Sequence, residues 1–392
     1  MIKYIDEVEI TNKKVLVRVD YNVSFKKDGT INDDTRIKNS IPTLQLLLKG
    51  NNELILMSHL GKPKGRDMVF SMKPVAERLQ TYFPEHNIVL IDDFTVQQTQ
   101  LSHAVNKATI YMLENTRFYE GEKKNDPIFS KQLADLAEVF VDDAFGSVHR
   151  AHASTVGVAS FLPSYGGLLL KREVSMIKKV IEAPEKPVVA IIAGAKVSSK
   201  IGLIEKLMSI ADSVLIGGAM TNNFLKAKGL EIGKGLVELD YIPEAKRLLD
   251  LAAAQNKHII LPIDRRIGQQ TDETTEPMVK KVGDIEANDE TLDIGPETEM
   301  VFTEIISQAK TIVWNGPVGY FENPQFAKGS IAIFNSIINN PSAVSVLGGG
   351  DTLSVIKKLP NKDKITHIST GGGAMLELIE KGTLPGLDAL DK

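Results

Sequence analysis

SAVSVLGGGDTLSVIKKLPNKDKITHISTGGGAML, residues 342–376, twice runs a short apolar segment into three consecutive glycines. Residues 344–347 lead into Gly348, Gly349, Gly350, Asp351 and Thr352, and residues 365–368 lead into Ser369, Thr370, Gly371, Gly372 and Gly373. A helical pattern follows each triplet. Glycine lets the backbone turn sharply and come close to a ligand. A helix opening just beyond aims free amide N–H groups and the positive end of its dipole at that ligand. Two such cradles so close together point to a polyanion, most simply the phosphates of a nucleotide. The competing account is a pair of tight strand-to-helix turns with no ligand.

Outward from this stretch the chain alternates strand, turn and helix. Strands are expected at 14–19, 54–57, 88–91, 109–113 and 139–141, then at 188–193, 213–216, 258–261 and 311–314. They are short, rich in Val, Ile and Leu and mostly apolar throughout, as strands buried on both faces should be. Helical patterns lie between several of them, including 73–82 and 127–136. An amphipathic helix over 171–181 is broken by Ala183, Pro184, Glu185, Lys186 and Pro187, and this marks the join between domains. The expected fold is α/β, with largely parallel sheets in each of two domains. The boundaries are 1–170, a helix and linker over 171–185, and 186–381. No period of 20–50 residues repeats.

A chain of 392 residues is long for one core. Its composition, 43% hydrophobic and 24% charged, is that of an ordinary globular protein. The absence of cysteine removes disulfides, thiolate nucleophiles and thiolate zinc sites, and fits a reducing cytoplasm. The opening MIKYIDEVEI has no signal-type apolar core, and no run approaches a membrane span. A net charge of −4 gives no support to nucleic-acid or membrane partners. An anion site must therefore come from local placement of positive charge.

That placement is visible in the first half. Arg18, Asp20 and Asn22 close the first strand, and Arg36 follows in DDTR. His59, Gly61 and Lys62 follow the second strand in SHLGKP, and Arg117 follows the fourth in LENTRF. His149, Arg150 and His152 follow the fifth. The carboxyl ends of parallel strands face one crevice, so these groups should converge into a pocket for a small ligand with several negative charges. Taken singly, each arginine is an ordinary surface charge. His149 and His152 have the spacing of metal ligands on a helix, but no third ligand is evident. His59 is either a general base or a hydrogen-bond donor to an anion.

The second half supplies different parts. GAKVSSK, residues 194–200, follows a strand and opens a helix, placing Lys196 and Lys200 near a helix N-terminus. Gly217 and Gly218 end the next strand, and NGPVGYFE, from Asn315 to Glu322, follows the strand ending at Trp314. Neither GxxxxGK[ST] nor GxGxxG occurs in the chain, which weakens P-loop and dinucleotide readings. Asp351 among phosphate-facing glycines would repel phosphate unless a cation such as Mg²⁺ lay between them. Its alternative role is an N-cap. One pocket for a small polyanion and one for a magnesium nucleotide make phosphoryl transfer the economical reaction, since it demands positioning and charge neutralisation more than covalent chemistry. A nicotinamide-dependent oxidoreductase and a two-lobed anion-binding protein are the rivals.

These segments closely resemble phosphoglycerate kinases. RVDYNVS is similar to that family's RVDFNVP, and SHLGKP to its SHLGRP. ENTRF, DAFG with HRAH, GAKVSSK, WNGPVGYFE, GGGDT and STGGGA complete the set in consistent order. The resemblance implies two Rossmann-like three-layer domains with mainly parallel sheets, joined by a hinge helix, in a cytoplasmic enzyme that is usually a monomer. It implies reversible, Mg²⁺-dependent, in-line transfer between 1,3-bisphosphoglycerate and ADP after domain closure, giving 3-phosphoglycerate and ATP. Asp20, Tyr21, Asn22, Arg36, His59, Leu60, Gly61, Lys62, Arg117 and Arg150 would bind the phosphoglycerate, with Arg18 supporting them. Arg36, Lys196, Gly371 and Gly372 would be catalytic, with Gly373 alongside. Lys200, Gly217, Gly218, Asn315, Glu322, Gly349, Gly350, Asp351 and Thr352 would bind the nucleotide, Asp351 through Mg²⁺. The tail 382–392 would pack on the first domain. The chain departs from the family pattern at Tyr21, Ser24, Lys62 and Ser199, and at Arg265 and Arg266 in LPIDRRIG, where apolar residues are usual.

Overall fold

The apolar runs form strands of two parallel sheets in a computed structural model that describes residues 1–96, 108–357 and 359–391. The first sheet contains β1 (Lys14–Arg18), β2 (Glu53–Met57), β3 (Asn87–Ile91), β4 (Thr109–Leu113), β5 (Val139–Asp142) and β6 (Ser164–Gly166). Their order is β3-β4-β2-β1-β5-β6, and every neighbouring pair is parallel. β2 and β4 are buried along their whole length, as continuous apolar strands covered on both faces should be. β3 lies at the sheet edge and alternates in burial.

Further along the chain come β7 (Val188–Ile192), β8 (Ser213–Ile216) and β9 (His258–Ile260), then three short strands, β10 (Asp264–Ile267), β11 (Met278–Lys281) and β12 (Thr291–Ile294). β13 (Thr311–Asn315), β14 (Val344–Gly348) and β15 (His367–Ile368) follow. The second parallel sheet has the order β15-β14-β13-β7-β8-β9. Val189, Ile191, Leu215, Ile312, Trp314 and Leu347 from this sheet belong to one buried cluster with Phe302, Ile306 and Phe334. The two-domain α/β architecture with mainly parallel sheets is the one expected from the strand pattern.

The three short strands were not expected. They form a separate antiparallel sheet of order β11-β10-β12. Their sequences, DRRI, MVKK and TLDI, carry too many charges for the apolar-run criterion. Strand alternation explains how β10 tolerates them. Asp264 accepts hydrogen bonds from the N–H groups of Glu297 (3.0 Å) and Thr298 (2.8 Å), at the start of the helix Pro296–Gln308. Arg266 pairs with Glu299 at 2.6 Å and Asp293 at 3.5 Å. Arg265 projects to the opposite face and donates from Nη1 to Asn222 Oδ1 at 3.2 Å.

The described chain divides into one unit of Met1–Ser175 with Lys381–Lys392 and another of Met176–Glu380. The division falls inside a single helix, Leu168–Glu182, which starts three residues before its expected position at 171. Asp143 explains the earlier start. Its Oδ1 accepts from the N–H groups of Leu169 (2.9 Å) and Leu170 (3.2 Å), satisfying two of the donors left open at a helix N-terminus. In the tail, Gly386 donates its N–H to the Val148 carbonyl at 2.8 Å, and Asp391 pairs with the amino group of Met1.

Burial raises the Asp143 carboxyl from 3.8 to about 8, against the pull of those amide bonds. Between these values the folded state holds a proton that the unfolded chain releases, so this group's contribution to stability falls as pH rises. Asn at this position keeps the accepting oxygen and has no proton to lose. Asp143→Asn should therefore gain on the wild-type protein in urea denaturation as pH is raised from about 4 to about 8. Parallel stability profiles for the two proteins would contradict this account.

Candidate active site

The order of the first sheet changes direction between β1 and β5: the chain moves from β1 to β2 on one side and returns to β5 on the other. Open parallel sheets leave a crevice beyond the carboxyl ends of the strands at such a point. Arg18 ends β1 there and is fully buried. Its Nε donates to Ser154 Oγ at 2.9 Å, Nη1 to the Val19 carbonyl, and Nη2 to Ser147 Oγ at 3.4 Å and His59 Nδ1 at 3.0 Å. Since a guanidinium only donates, Nδ1 of His59 accepts and the imidazole proton resides on Nε2. Burial, reinforced by the positive charges of Arg18, Arg117 and Arg36, holds His59 well below the ordinary imidazole value. His59 is thus a neutral donor, which removes the general-base alternative.

The charges expected to converge do so within this unit. Arg117, Arg18 and Arg150 all bear on His152, and Arg18, Arg117 and Arg36 bear on His59. Arg36 Nη1 pairs with Asp20 Oδ2 at 2.7 Å. Arg117 Nη1 donates to the Gly61 carbonyl at 2.6 Å, and the Gly61 N–H donates to Asn22 Oδ1 at 2.8 Å. These bonds fasten the loop after β2 to the loops after β1 and β4. Arg150 and Lys62 are exposed.

Two residues expected to contact ligand are buried. Tyr21 and Leu60 sit in the hydrophobic core of this unit. The Tyr21 hydroxyl lies 2.7 Å from Ser40 Oγ, its N–H donates to Ser58 Oγ (2.9 Å), and its carbonyl accepts from Val23 (2.8 Å). The Leu60 N–H and carbonyl are both held by the Asn115 side chain, at 3.2 and 2.8 Å. Both side chains are buried, and these polar groups are already bonded within the protein. The two histidines considered as helical partners are not on a helix. His149 and His152 lie in a turn and extended chain before the π-helix Ala153–Gly157, and His152 Nδ1 faces Glu122 Oε1 at 3.7 Å. Among the described residues no cluster of three metal-ligating side chains occurs.

In the second sheet the corresponding reversal lies between β7 and β13. Asn315, at the end of β13, accepts from Lys200 Nζ and donates through Nδ2 to the Gly348 carbonyl at 2.7 Å. Lys200 is the N-cap of the helix Ile201–Ile210. Thr352 is buried, donates to the Gly348 carbonyl (3.0 Å) and accepts from the Gly316 N–H (2.7 Å). Its hydroxyl therefore fastens the loops, leaving its backbone N–H in the first turn of the helix Gly350–Ile356 for a ligand.

The glycine triplets abut. A Cβ on Gly372 would lie 2.6 Å from the Gly349 nitrogen, and one on Gly349, at φ +107°, would lie 2.6 Å from Asn315 Nδ2. One cleft is lined by Lys196, Lys200, Asn315, Gly349, Gly350, Asp351, Thr352, Gly372 and Gly373. Gly371 is the exception: it is buried, and its N–H donates to Ser369 Oγ at 3.3 Å. The helix opens at Gly372, so the amides available to the cleft begin one residue later than expected. Asp351 is exposed in the first turn of a helix whose N-cap is Gly349, which excludes the N-cap role considered for it.

A second depression shares Gly194, Ala195, Pro317 and Asp351 with this cleft and continues to Gly218, Arg265, Tyr320, Phe321 and Glu322. Gly217 lies behind its wall, where a Cβ would strike Val318. Arg265, Tyr320 and Phe321 were not expected at a site. The signal for Arg265 was present as a charged pair inside LPIDRRIG, but its direction depends on an antiparallel sheet that the pattern did not reveal.

Comparison with known proteins places the chain in a family. A family model described as phosphoglycerate kinase matches residues 5–382. The chain belongs to the phosphoglycerate kinase family. It is 44% identical to the phosphoglycerate kinase of Finegoldia magna, over 100% of this chain and 99% of that one. It is 45% identical to that of Thermus thermophilus, over 98% of both chains. The solved structure of phosphoglycerate kinase from Coxiella burnetii superposes with a TM-score of 0.91 at 36% identity, covering 100% of this chain and 99% of that one. That from Pyrococcus horikoshii gives 0.85 at 31%, covering 99% and 98%. The protein is accordingly a phosphotransferase of glycolysis, with small-molecule substrates.

Burial lowers Lys200 to about 8, with Asp351 pulling it upward. A phosphate paired with Lys200 would favour the protonated form, so binding takes up a proton above that value. ATP affinity should weaken as pH rises from about 8 to about 9.5, as measured by calorimetry in several buffers. Lys200→Arg, which stays charged, should lose most of that dependence; an unchanged pH profile would remove Lys200 from the phosphate site.

Proposed function

We propose that the protein catalyses reversible phosphoryl transfer between 1,3-bisphosphoglycerate and ADP, with the acid held by the first unit and the magnesium nucleotide by the second. The observation that carries this reading is the cleft at the β7/β13 reversal, which gathers two lysines, an asparagine and two residues of each glycine triplet around exposed Asp351. An anion pocket of different character, built on arginine and neutral histidine, occupies the corresponding reversal in the first sheet.

In the direction of ATP use, a carboxylate oxygen of 3-phosphoglycerate attacks the γ-phosphorus. The bond from that phosphorus to the bridging oxygen breaks, and ADP leaves with the electron pair. The carboxylate is already ionised at neutral pH, so no general base is required. Asp20, Asn22, His59, Arg117 and Arg150 would bind and orient the acid. Arg36 and Lys196 would accompany the transferring group, and the Gly372 and Gly373 amides would stabilise its charge. Lys200 and the first-turn amides from Gly350 to Thr352 would hold the remaining phosphates, and Glu322 the ribose hydroxyls.

Mg²⁺ fits this donor set. Asp351 presents a carboxylate beside the phosphate cradle, and Mg²⁺ is commonly held by one or two carboxylates together with phosphate oxygens and water. When bound, the ion supplies neutralisation of phosphate charge. The transfer would follow closure of the two units about the helix Leu168–Glu182. A cytoplasmic location fits the absence of cysteine, and no helix among the described residues is long and apolar enough to cross a membrane; a monomer is the state the family resemblance implies.

A coupled assay with 3-phosphoglycerate and ATP, with and without Mg²⁺, tests the reaction. Arg36→Ala should lower kcat about a hundredfold, the usual effect of losing one transition-state donor, while ATP affinity changes little. Near-normal turnover would sink the role given to Arg36. Small-angle scattering should show compaction only when both substrates are present, because each unit holds half of the reacting system. An unchanged radius of gyration in the ternary complex would argue against closure.

A further inference from the structure

We propose that Arg265 reads the base of the bound nucleotide and raises the use of 6-oxopurine nucleotides, those of guanine and hypoxanthine, relative to ATP. This rests on the nucleotide site argued above. The depression lined by Gly218, Arg265, Tyr320, Phe321 and Glu322 continues from the phosphate cleft through Gly194, Ala195 and Pro317. The base of a nucleotide whose phosphates lie at the glycine triplets falls in this depression. Arg265 is only 2% exposed and so belongs to the wall.

The guanidinium is held loosely for a buried charge. Nε donates to the Asp293 carbonyl at 3.3 Å and Nη1 to Asn222 Oδ1 at 3.2 Å. The Asp293 carboxylate is directed elsewhere, to the N–H groups of Ile294 (2.9 Å) and Gly329 (2.8 Å) and to Arg266 at 3.5 Å. Burial accordingly lowers Arg265 to about 10. Nη2 makes no hydrogen bond among the described residues, yet it is not an enclosed orphan atom. Arg265 itself lines the depression. A side chain with five N–H donors uses two here. Guanine and hypoxanthine present two adjacent acceptors, O6 and N7, that match a guanidinium bidentately. Adenine presents N7 beside an amino donor, which a guanidinium cannot accept from.

The test is kcat/KM with ATP, GTP and ITP at saturating 3-phosphoglycerate, in the full-length protein and in Arg265→Leu. The GTP-to-ATP ratio should fall about tenfold in the variant, as should the ITP-to-ATP ratio. In the unaltered protein 7-deaza-GTP should be about tenfold poorer than GTP, a comparison that requires no variant to fold. Equal ratios in both proteins, or GTP and 7-deaza-GTP used alike, would overturn the inference while leaving the nucleotide site intact. Absence of turnover with every triphosphate would overturn the site and the inference together.

Discussion

The second unit's site depends on the side chain of Asn315. Its Oδ1 accepts the Lys200 ammonium and its Nδ2 donates to the Gly348 carbonyl at 2.7 Å. Its backbone carbonyl accepts the Ala193 N–H at 2.8 Å. One residue thus ties together the carboxyl ends of β7, β13 and β14. Aspartate would lack the donor and leucine both groups. Because Asn315 is almost wholly buried, these bonds act in a low dielectric, where they are strong when made and costly when lost. Gly349 follows from the same constraint, since a side chain there would meet Asn315 Nδ2. Gly372 follows in turn, because its backbone packs on Gly349.

The first unit solves the same problem with a buried cation. None of the hydrogen bonds made by Arg18 goes to a carboxylate: the partners are two serine hydroxyls, a carbonyl and an imidazole. The guanidinium is therefore hydrogen-bonded to dipoles, and the buried Asp142 carboxyl on the neighbouring strand acts on it only through space. Arg18 helps keep His59 neutral and lowers Arg117 after burial has done so. Arg36 differs in having Asp20 at 2.7 Å, an arrangement that orients it before an anion arrives. The pocket's positive potential thus awaits an anion even though the whole chain has a net charge of −4.

The parallel sheets were legible because strands buried on both faces are apolar along most of their length, as residues 54–57, 110–113, 188–192 and 312–314 are. That the two glycine triplets meet was legible because each follows an apolar run that forms a strand of the same sheet. The antiparallel sheet was hidden, since strands such as DRRI gain stability from specific ion pairs that leave no periodic trace. Which atom of a motif serves a ligand was equally hidden. RVDYNVS and SHLGKP do not disclose that Tyr21 and Leu60 face inward, nor does GGGDT disclose that the Thr352 hydroxyl binds backbone. Those distinctions are set by neighbours far along the chain, Ser40, Asn115 and Gly316 among them.

Charge state narrows the chemistry these sites can perform. His59 is neutral with its proton on Nε2, and its Nδ1 is occupied by Arg18, so it can donate but has no lone pair free to receive a proton. Lys200, lowered to about 8, is still mostly protonated at neutral pH. Both therefore act as donors, and neither provides a strong base. A reaction that had to deprotonate an alcohol would find little help from them. A reaction whose acceptor arrives as a carboxylate and whose donor is a polyphosphate needs only that negative charges be brought together against their repulsion. Cations, amides and imidazole N–H groups do this, and they are what the two sheets place at their carboxyl ends.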